Sequence, residues 1–299
     1  MRLTSIFTAI CKLGIFSTLA VTSCSEPLPS PSLVVGLRIL ALRATPSVTH
    51  ATRIEAIVAQ GGGWLAHAND AGLLPRVDWF LCATTVGTDP AACVQSPANL
   101  QWVGTGSGID VAPQWLAASS PRLLFATYCF GQQAQWLPQR GALGCPDEST
   151  LPYAQTDGVV AFRTLQAPVE GAADNHNPSI RDLLVNGQST DNHRWIVARC
   201  TSADRSLCPS ISIVALPTND AAEPDATGQL EQLLVSFYAL SGSFDRPRAT
   251  ASSTAPNGED RALSARWYAP ANAETTGFAV VLRDNRGGVS VEFGELIVQ

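Results

Sequence analysis

Apolar side chains recur at every second residue over short stretches of this chain, and the stretches end at turn formers. Ile54, Ala56 and Val58 fall on one side of a run, with Arg53, Glu55 and Ile57 on the other. Near the C-terminus Val289, Val291 and Phe293 alternate with Ser290 and Glu292. A period of two belongs to strands whose two faces meet different surroundings. Thr45-Pro46-Ser47 and Gly61-Gly62-Gly63 break the first runs. Similar short apolar runs surround Trp79, Phe125, Phe162, Ile196, Ile213, Phe237, Trp267 and Val280. No stretch sustains apolar residues at i, i+3 and i+4 between caps; only Gln114–Ala118 admits a short helix. Many short strands between Gly- and Pro-rich turns predict an all-β chain built from antiparallel sandwiches. After Phe293 the apolar phase slips at Gly294-Glu295 and restarts at Leu296 and Val298, which predicts a β-bulge there. The last two strands are expected to meet across Asp284–Gly288, whose residues tolerate positive φ.

The strands fall into two blocks of similar order, each opening on an apolar strand and carrying an aromatic one at its centre. Apolar residues make up 45% of the chain, ample for two cores. Two tandem domains are expected, over residues 33–168 and 179–299, joined by a linker at 169–178 that is rich in turn formers.

The N-terminal 23 residues read as an export signal, with Arg2 before a mostly apolar stretch from Leu3 to Val21. Lys12 interrupts that stretch, leaving it short for a membrane span. It ends in Val21-Thr22-Ser23-Cys24, which is similar to the lipobox of bacterial lipoproteins. The usual Leu at the third place before the cysteine is Val21 here. The resemblance implies cleavage before Cys24 and acylation of Cys24, so that the membrane becomes a partner through the lipid. It also implies sorting to the outer membrane, because Ser25 rather than Asp follows the cysteine. Residues 24–32 hold several prolines and little to bury, which predicts an extended tether of roughly 25 Å.

Six cysteines follow Cys24: Cys82, Cys93, Cys129, Cys145, Cys200 and Cys208. An even number in an exported chain predicts disulfides, although six cysteines admit many pairings. Sequence order suggests Cys82–Cys93, Cys129–Cys145 and Cys200–Cys208. Their separations of 11, 16 and 8 residues do not fit a zinc site.

The segment 277–298 resembles the closing hairpin of immunoglobulin-like and PKD-like modules, with Val281, Asp284 and Gly287 at its recurring positions. The whole resembles tandem immunoglobulin-like domains of bacterial cell-envelope lipoproteins. That likeness covers the last third of the chain best and the first domain loosely. It implies the sandwich fold and no particular activity.

A net charge of −6 without a basic cluster argues against nucleic acid as a partner. No catalytic constellation is legible. His50, His67, His176 and His193 stand in no metal-binding spacing and read as loop residues. Ser107, between glycines in 104–108, lacks the spacing of a nucleophile elbow, and the segment reads as a flexible loop. Asp147-Glu148 and Glu259-Asp260 lie in turn-like text. Residues 173–179 resemble the calcium-binding linker of cadherins, but His176 replaces an acidic ligand and an ordinary turn explains them. Trp102, Trp115 and Trp136 gather in one region, where exposed aromatics would suit a glycan or protein partner and core filling is the plainer account. No cofactor or metal is expected. The expectation is a non-enzymatic, lipid-anchored binding or spacer module of the cell envelope. The alternatives are an accessory subunit of a secretion or polysaccharide complex, or a cryptic enzyme.

Overall fold

A computed structural model describes residues 31–36, 38–46, 52–60, 63–64, 77–82, 90–94, 96–116, 122–129, 132–138, 141–146, 159–165, 175–190, 195–224, 228–251 and 263–299. The first half holds β1 (Arg38–Pro46), β2 (Thr52–Gln60), β3 (Gly63–Trp64), β4 (Val77–Cys82) and a short helix α1 (Pro90–Val94). It continues with β5 (Leu100–Thr105), β6 (Gly108–Val111), α2 (Pro113–Leu116), β7 (Arg122–Tyr128), β8 (Gln135–Leu137), β9 (Ala142–Gly144) and β10 (Val159–Leu165). The second half holds β11 (Ile180–Val185), β12 (Gln188–Ser189), β13 (Trp195–Val197), β14 (Ser210–Pro217) and β15 (Leu234–Ala239). It ends with β16 (Ser243–Phe244), β17 (Arg248–Thr250), β18 (Leu263–Tyr268), β19 (Glu274–Arg283) and β20 (Val289–Val298). The all-β expectation holds, and a short helix falls at α2, beside the predicted position.

Four main sheets stack face to face. In the first half, β1-β2, with β3 and β6 along the far side of β2, faces β10-β7-β4-β5. Ile54, Val58, Trp79, Leu81 and Leu124 pack between them. In the second half, β13-β20-β19-β15-β17 faces β12-β11-β14-β18-β16 around Phe237, Trp267, Phe278, Val280 and Leu296. The two sandwiches then share a third apolar layer. Leu40, Ala41, Ile57 and Ala59 meet Tyr238, Ala279, Val281 and Val289. A fourth layer, with Phe80, Leu123, Phe125 and Leu143, lies on the outer face of the first sandwich.

Strand periodicity explains this stacking. Ile54 and Val58 of β2 point into their own core, while Ile57 and Ala59 point across to the second sandwich. β19 is buried on both faces: Phe278, Val280 and Leu282 face inward, and Ala279 and Val281 face the first sandwich. Strands covered on both sides are apolar at consecutive residues rather than at alternate ones.

The bulge expected at Gly294-Glu295 is absent. β19 and β20 pair in unbroken register from Glu274↔Val298 to Arg283↔Val289. The apolar phase slips because the strand changes which face it buries. Val289, Val291 and Phe293 serve the layer between sandwiches, whereas Leu296 and Val298 serve the inner core. Gly294 marks the handover. It lies opposite Phe278, whose ring occupies the space a Cβ would need. A register shift occurs instead in β1, between Ile39 and Ala41. Pairing is also not wholly antiparallel, since β13 runs parallel to β20.

The chain enters the body at residues 31–34. The Val34 N–H donates to the Ala239 carbonyl and the Ala239 N–H to the Ser32 carbonyl, both at 2.9 Å. Ser32 and Val34 are buried. Ser32, placed by sequence in the free tether, is thus docked on the end of β15 in the second sandwich.

Candidate functional site

A dense polar junction forms where the linker, the β19–β20 turn and the loop after β14 meet. The turn 284–288 is closed by its own aspartate. Asp284 Oδ1 accepts from the N–H groups of Arg286 (2.8 Å) and Gly288 (2.7 Å). Gly287 has φ +96°, a conformation glycine adopts without steric cost. At Gly288 a Cβ would strike the Asp284 carboxylate and approach the His176 carbonyl to 2.9 Å. The bare backbone there lets the linker pass directly over the turn.

The linker asparagines act as struts. Asn177 Nδ2 donates to the Ala44 carbonyl of β1 at 2.6 Å, and its Oδ1 accepts from the Val289 N–H of β20 at 2.9 Å. One side chain therefore ties both sandwiches. Asn175 Nδ2 donates to Asp284 Oδ2 at 3.3 Å. From the first sandwich, Arg163 Nη1 donates to the Leu42 carbonyl (2.9 Å) and the Gly287 carbonyl (2.5 Å).

Arg286, carried on the turn, reaches two glutamates. Its Nη2 donates to Glu223 Oε2 at 2.7 Å, and its Nε donates to Glu231. The Glu231 side chain is only 1% exposed. A carboxylate so buried needs a partner such as this guanidinium. Glu231 Oε2 also accepts from the Glu223 N–H at 3.1 Å. Glu223 Oε1 stands 2.6 Å from His176 Nδ1. Partial burial pushes the Glu223 carboxyl up. The hydrogen bonds from His176, with the charges of His176 and Arg286, outweigh that and hold it below the usual carboxylate range. Burial opposes the charge on Arg286, but Glu231, Glu223 and Asp284 more than offset it and raise its pKa.

A cavity of 530 Å³ opens beside this clasp, lined by His176, Ser179, Thr218, Asp220, Ala222 and Glu223 among others. A hydrogen bond from Thr218 holds the Asp220 carboxyl below its usual range. General acid–base work near neutral pH calls for carboxyls shifted upward. Both carboxyls here shift downward, and Glu223 is engaged in holding the linker. The arrangement suits a fixed, hydrogen-bonding concavity.

The other sequence-predicted positions scatter. Cys24, His50, His67, His193, Asp147, Glu148, Glu259 and Asp260 lie outside the described residues. The cysteines are joined as Cys82–Cys93, Cys129–Cys145 and Cys200–Cys208. The first two bridges belong to the outer layer of the first sandwich. Ser107 sits in a crossover between the two sheets of that sandwich, and the segment is not free. Gly106 N–H donates to Val77 O and Ala56 N–H to Ser107 O, both at 2.9 Å, while Trp79 Nε1 donates to Gly106 O at 3.0 Å. The three tryptophans do not form one patch. Trp115 packs on the core of the first sandwich, Trp136 donates to the Val94 carbonyl, and Trp102 is half exposed on β5. Of the cadherin-like linker, Asn175 and Asn177 serve as struts, and no metal-binding group of His, Cys, Asp or Glu occurs among the described residues. Arg163, Glu223 and Glu231 belong to no sequence motif, and Arg286 lies in the predicted turn without a role read for it. The one signal they carry is a charge set inside an apolar strand, as at Arg163.

No known protein family matches the chain, and no curated protein matches it either. Solved structures give loose superpositions. Dimeric latent PorU from Porphyromonas gingivalis aligns with 88% of this chain at 9% identity and a TM-score of 0.24. A beta-glycosidase from Bacteroides vulgatus aligns with 89% at 10% identity and 0.22. The chain spans about a quarter of the length of each, 24% and 25%. A structure concerning host cell surface retention of a 1.5-MDa bacterial ice-binding adhesin aligns over 89% of this chain and 66% of its own, at 10% identity and 0.22. TM-scores of this size fix neither a common topology nor a common activity.

Proposed function

We propose that this chain is an outer-membrane lipoprotein, anchored through acylated Cys24, that presents a rigid double sandwich to a protein or glycan partner in the cell envelope. It acts by binding or spacing and not by catalysis. The observation that carries this reading is where the chain joins the body. Residues 32–34 dock at Ala239, beside the Leu240 N–H that donates to the Gly277 carbonyl. Gly277 lies towards the open end of the β19–β20 hairpin, away from the Asp284–Gly288 turn by seven residues of strand, or roughly 23 Å. A lipid on Cys24 would hold the body by that end and turn the clasp and its cavity away from the bilayer. The shared layer and the clasp make the two sandwiches one body, as a spacer requires. The acidic balance of −6 leaves nucleic acid outside the partners.

Intact mass of protein from the membrane fraction tests the reading, before and after reduction. The expected species starts at Cys24, carries two or three acyl chains and gains six protons on reduction of the three bridges. Cys24→Ser should move the chain to the soluble fraction. An unlipidated wild-type chain in the soluble fraction would overturn the anchor.

A further inference from the structure

A second concavity, of 250 Å³, lies at the seam between the sandwiches, where Ile39, Leu42, Ala161, Phe162, Arg163 and Arg283 are among its walls. Among the described residues β1 and β10 each pair with a single strand, so both present an edge to it. Its apolar lining is ordinary for a seam, but its two arginines are not. Arg163 donates to the carbonyls of Leu42 and Gly287. Arg283 donates to the Leu40 carbonyl at 2.5 Å and to Ser236 Oγ at 3.0 Å. All four acceptors are neutral, and neither guanidinium forms an ion pair among the described residues.

Arg286, on the adjoining turn, shows what a balanced arginine looks like here, with two glutamates against it. Among the described residues Asp284 is the only acid whose field reaches Arg163, and its oxygens are taken by the turn N–H groups and by Asn175. Burial accordingly lowers the Arg163 pKa, with Asp284 opposing. Charge set in an apolar lining without a counter-ion is costly, and an anion entering the groove would relieve it.

We propose that this groove binds a medium-chain carboxylate amphiphile, its head on Arg163 and Arg283 and its alkyl chain along Ile39, Leu42 and Ala161. An acidic peptide fits less well. The β1 carbonyls of Leu40 and Leu42, which an added strand would use, already accept from the arginines. The volume also falls below the range of about 300–1,000 Å³ usual for drug-sized ligands and suits one alkyl chain.

The test is calorimetric titration of the full chain with decanoate below its micelle concentration, beside 1-decanol, inorganic phosphate and an acidic decapeptide. Decanoate should bind at one site, and the tail or head alone should bind about tenfold more weakly or worse. Arg163→Gln and Arg283→Gln should each weaken decanoate by about tenfold or more while leaving the binding of 1-decanol unchanged. Equal binding of decanoate and decanol, no saturable decanoate binding, tighter binding of the peptide, or indifference to both substitutions would each overturn the proposal.

Discussion

The two sandwiches solve the same packing problem with different means. The far sheet of the second is half wet: β14 alternates buried and more exposed residues along its length, and so does β18. One large core, around Trp267, Phe237 and Phe278, holds that sandwich together. The far sheet of the first is dry on both sides along its two central strands, β4 and β7. Every residue of β4 is buried, with Trp79 and Leu81 inward and Phe80 and Cys82 outward. Its outer face lies under a small cap that includes α1, β8 and β9, and two disulfides fix that layer in place. A thin layer has little apolar area to keep it closed. Cross-links supply the closure that the second sandwich obtains from its larger core.

The largest effects should come from the two buried tryptophans, which occupy matching roles. Trp79 donates to Gly106 O and Trp267 to Ser241 O, each at 3.0 Å, and both are fully buried. Trp79→Ala and Trp267→Ala should each cost about 3–5 kcal/mol. They should differ in extent. Trp267→Ala removes the centre of the core beneath β18 and should expose that whole sandwich to hydrogen exchange. Trp79→Ala should leave the amides of the stapled cap protected. Equal loss of protection throughout both variants would show that the two sandwiches do not differ in this way.

Removing cross-links should reverse the asymmetry. Cys129→Ala with Cys145→Ala should cost about 3 kcal/mol in the chain-entropy model, and the loss should fall on the cap, where Cys129 is packed among apolar neighbours. Cys200→Ala with Cys208→Ala opens a shorter loop worth about 2.5 kcal/mol, outside the second core. Denaturant melts with exchange mapping would locate each loss. A smaller effect tests the handover strand: Gly294→Ala should drive a methyl into Phe278 and cost about 1–3 kcal/mol, mainly in the second sandwich.

Part of this is legible in the sequence, and the rest is hidden for physical reasons. Period two survives in any strand with one wet face, so β2, β14 and the first half of β20 can be read directly. A strand between two apolar layers loses that contrast. Ile57 and Ala59, which follow Arg53 and Glu55 on one side of β2, are the visible signs that this face meets another body. The same blindness turns a change of buried face in β20 into an apparent bulge. Neighbouring cysteines can be paired from order because each bridge closes a local loop. The clasp cannot be foreseen, since Glu223 and Arg286 are 63 residues apart and only the fold brings them together.

The smallest expected effect concerns that clasp, which belongs to neither sandwich alone. Glu223 has a folded-state pKa below its usual value, because the His176 and Arg286 contacts outweigh its partial burial. A depressed carboxyl contributes stability that is present above its unfolded pKa, about 4.3, and is lost as pH falls through the lower folded value. Acid below about pH 4 should therefore loosen the linker before either core opens. Glu223→Gln should abolish that acid step, because the amide keeps the shape and carries no titrating charge. Exchange rates of the amides at His176 and Arg286, followed from about pH 6 down to about pH 3 against the ordinary acid dependence of exchange, would report it. If the Gln variant and the wild type lose protection at the same pH, the carboxylate is not what holds the linker, and Asn177, bridging Ala44 to Val289, carries the connection instead.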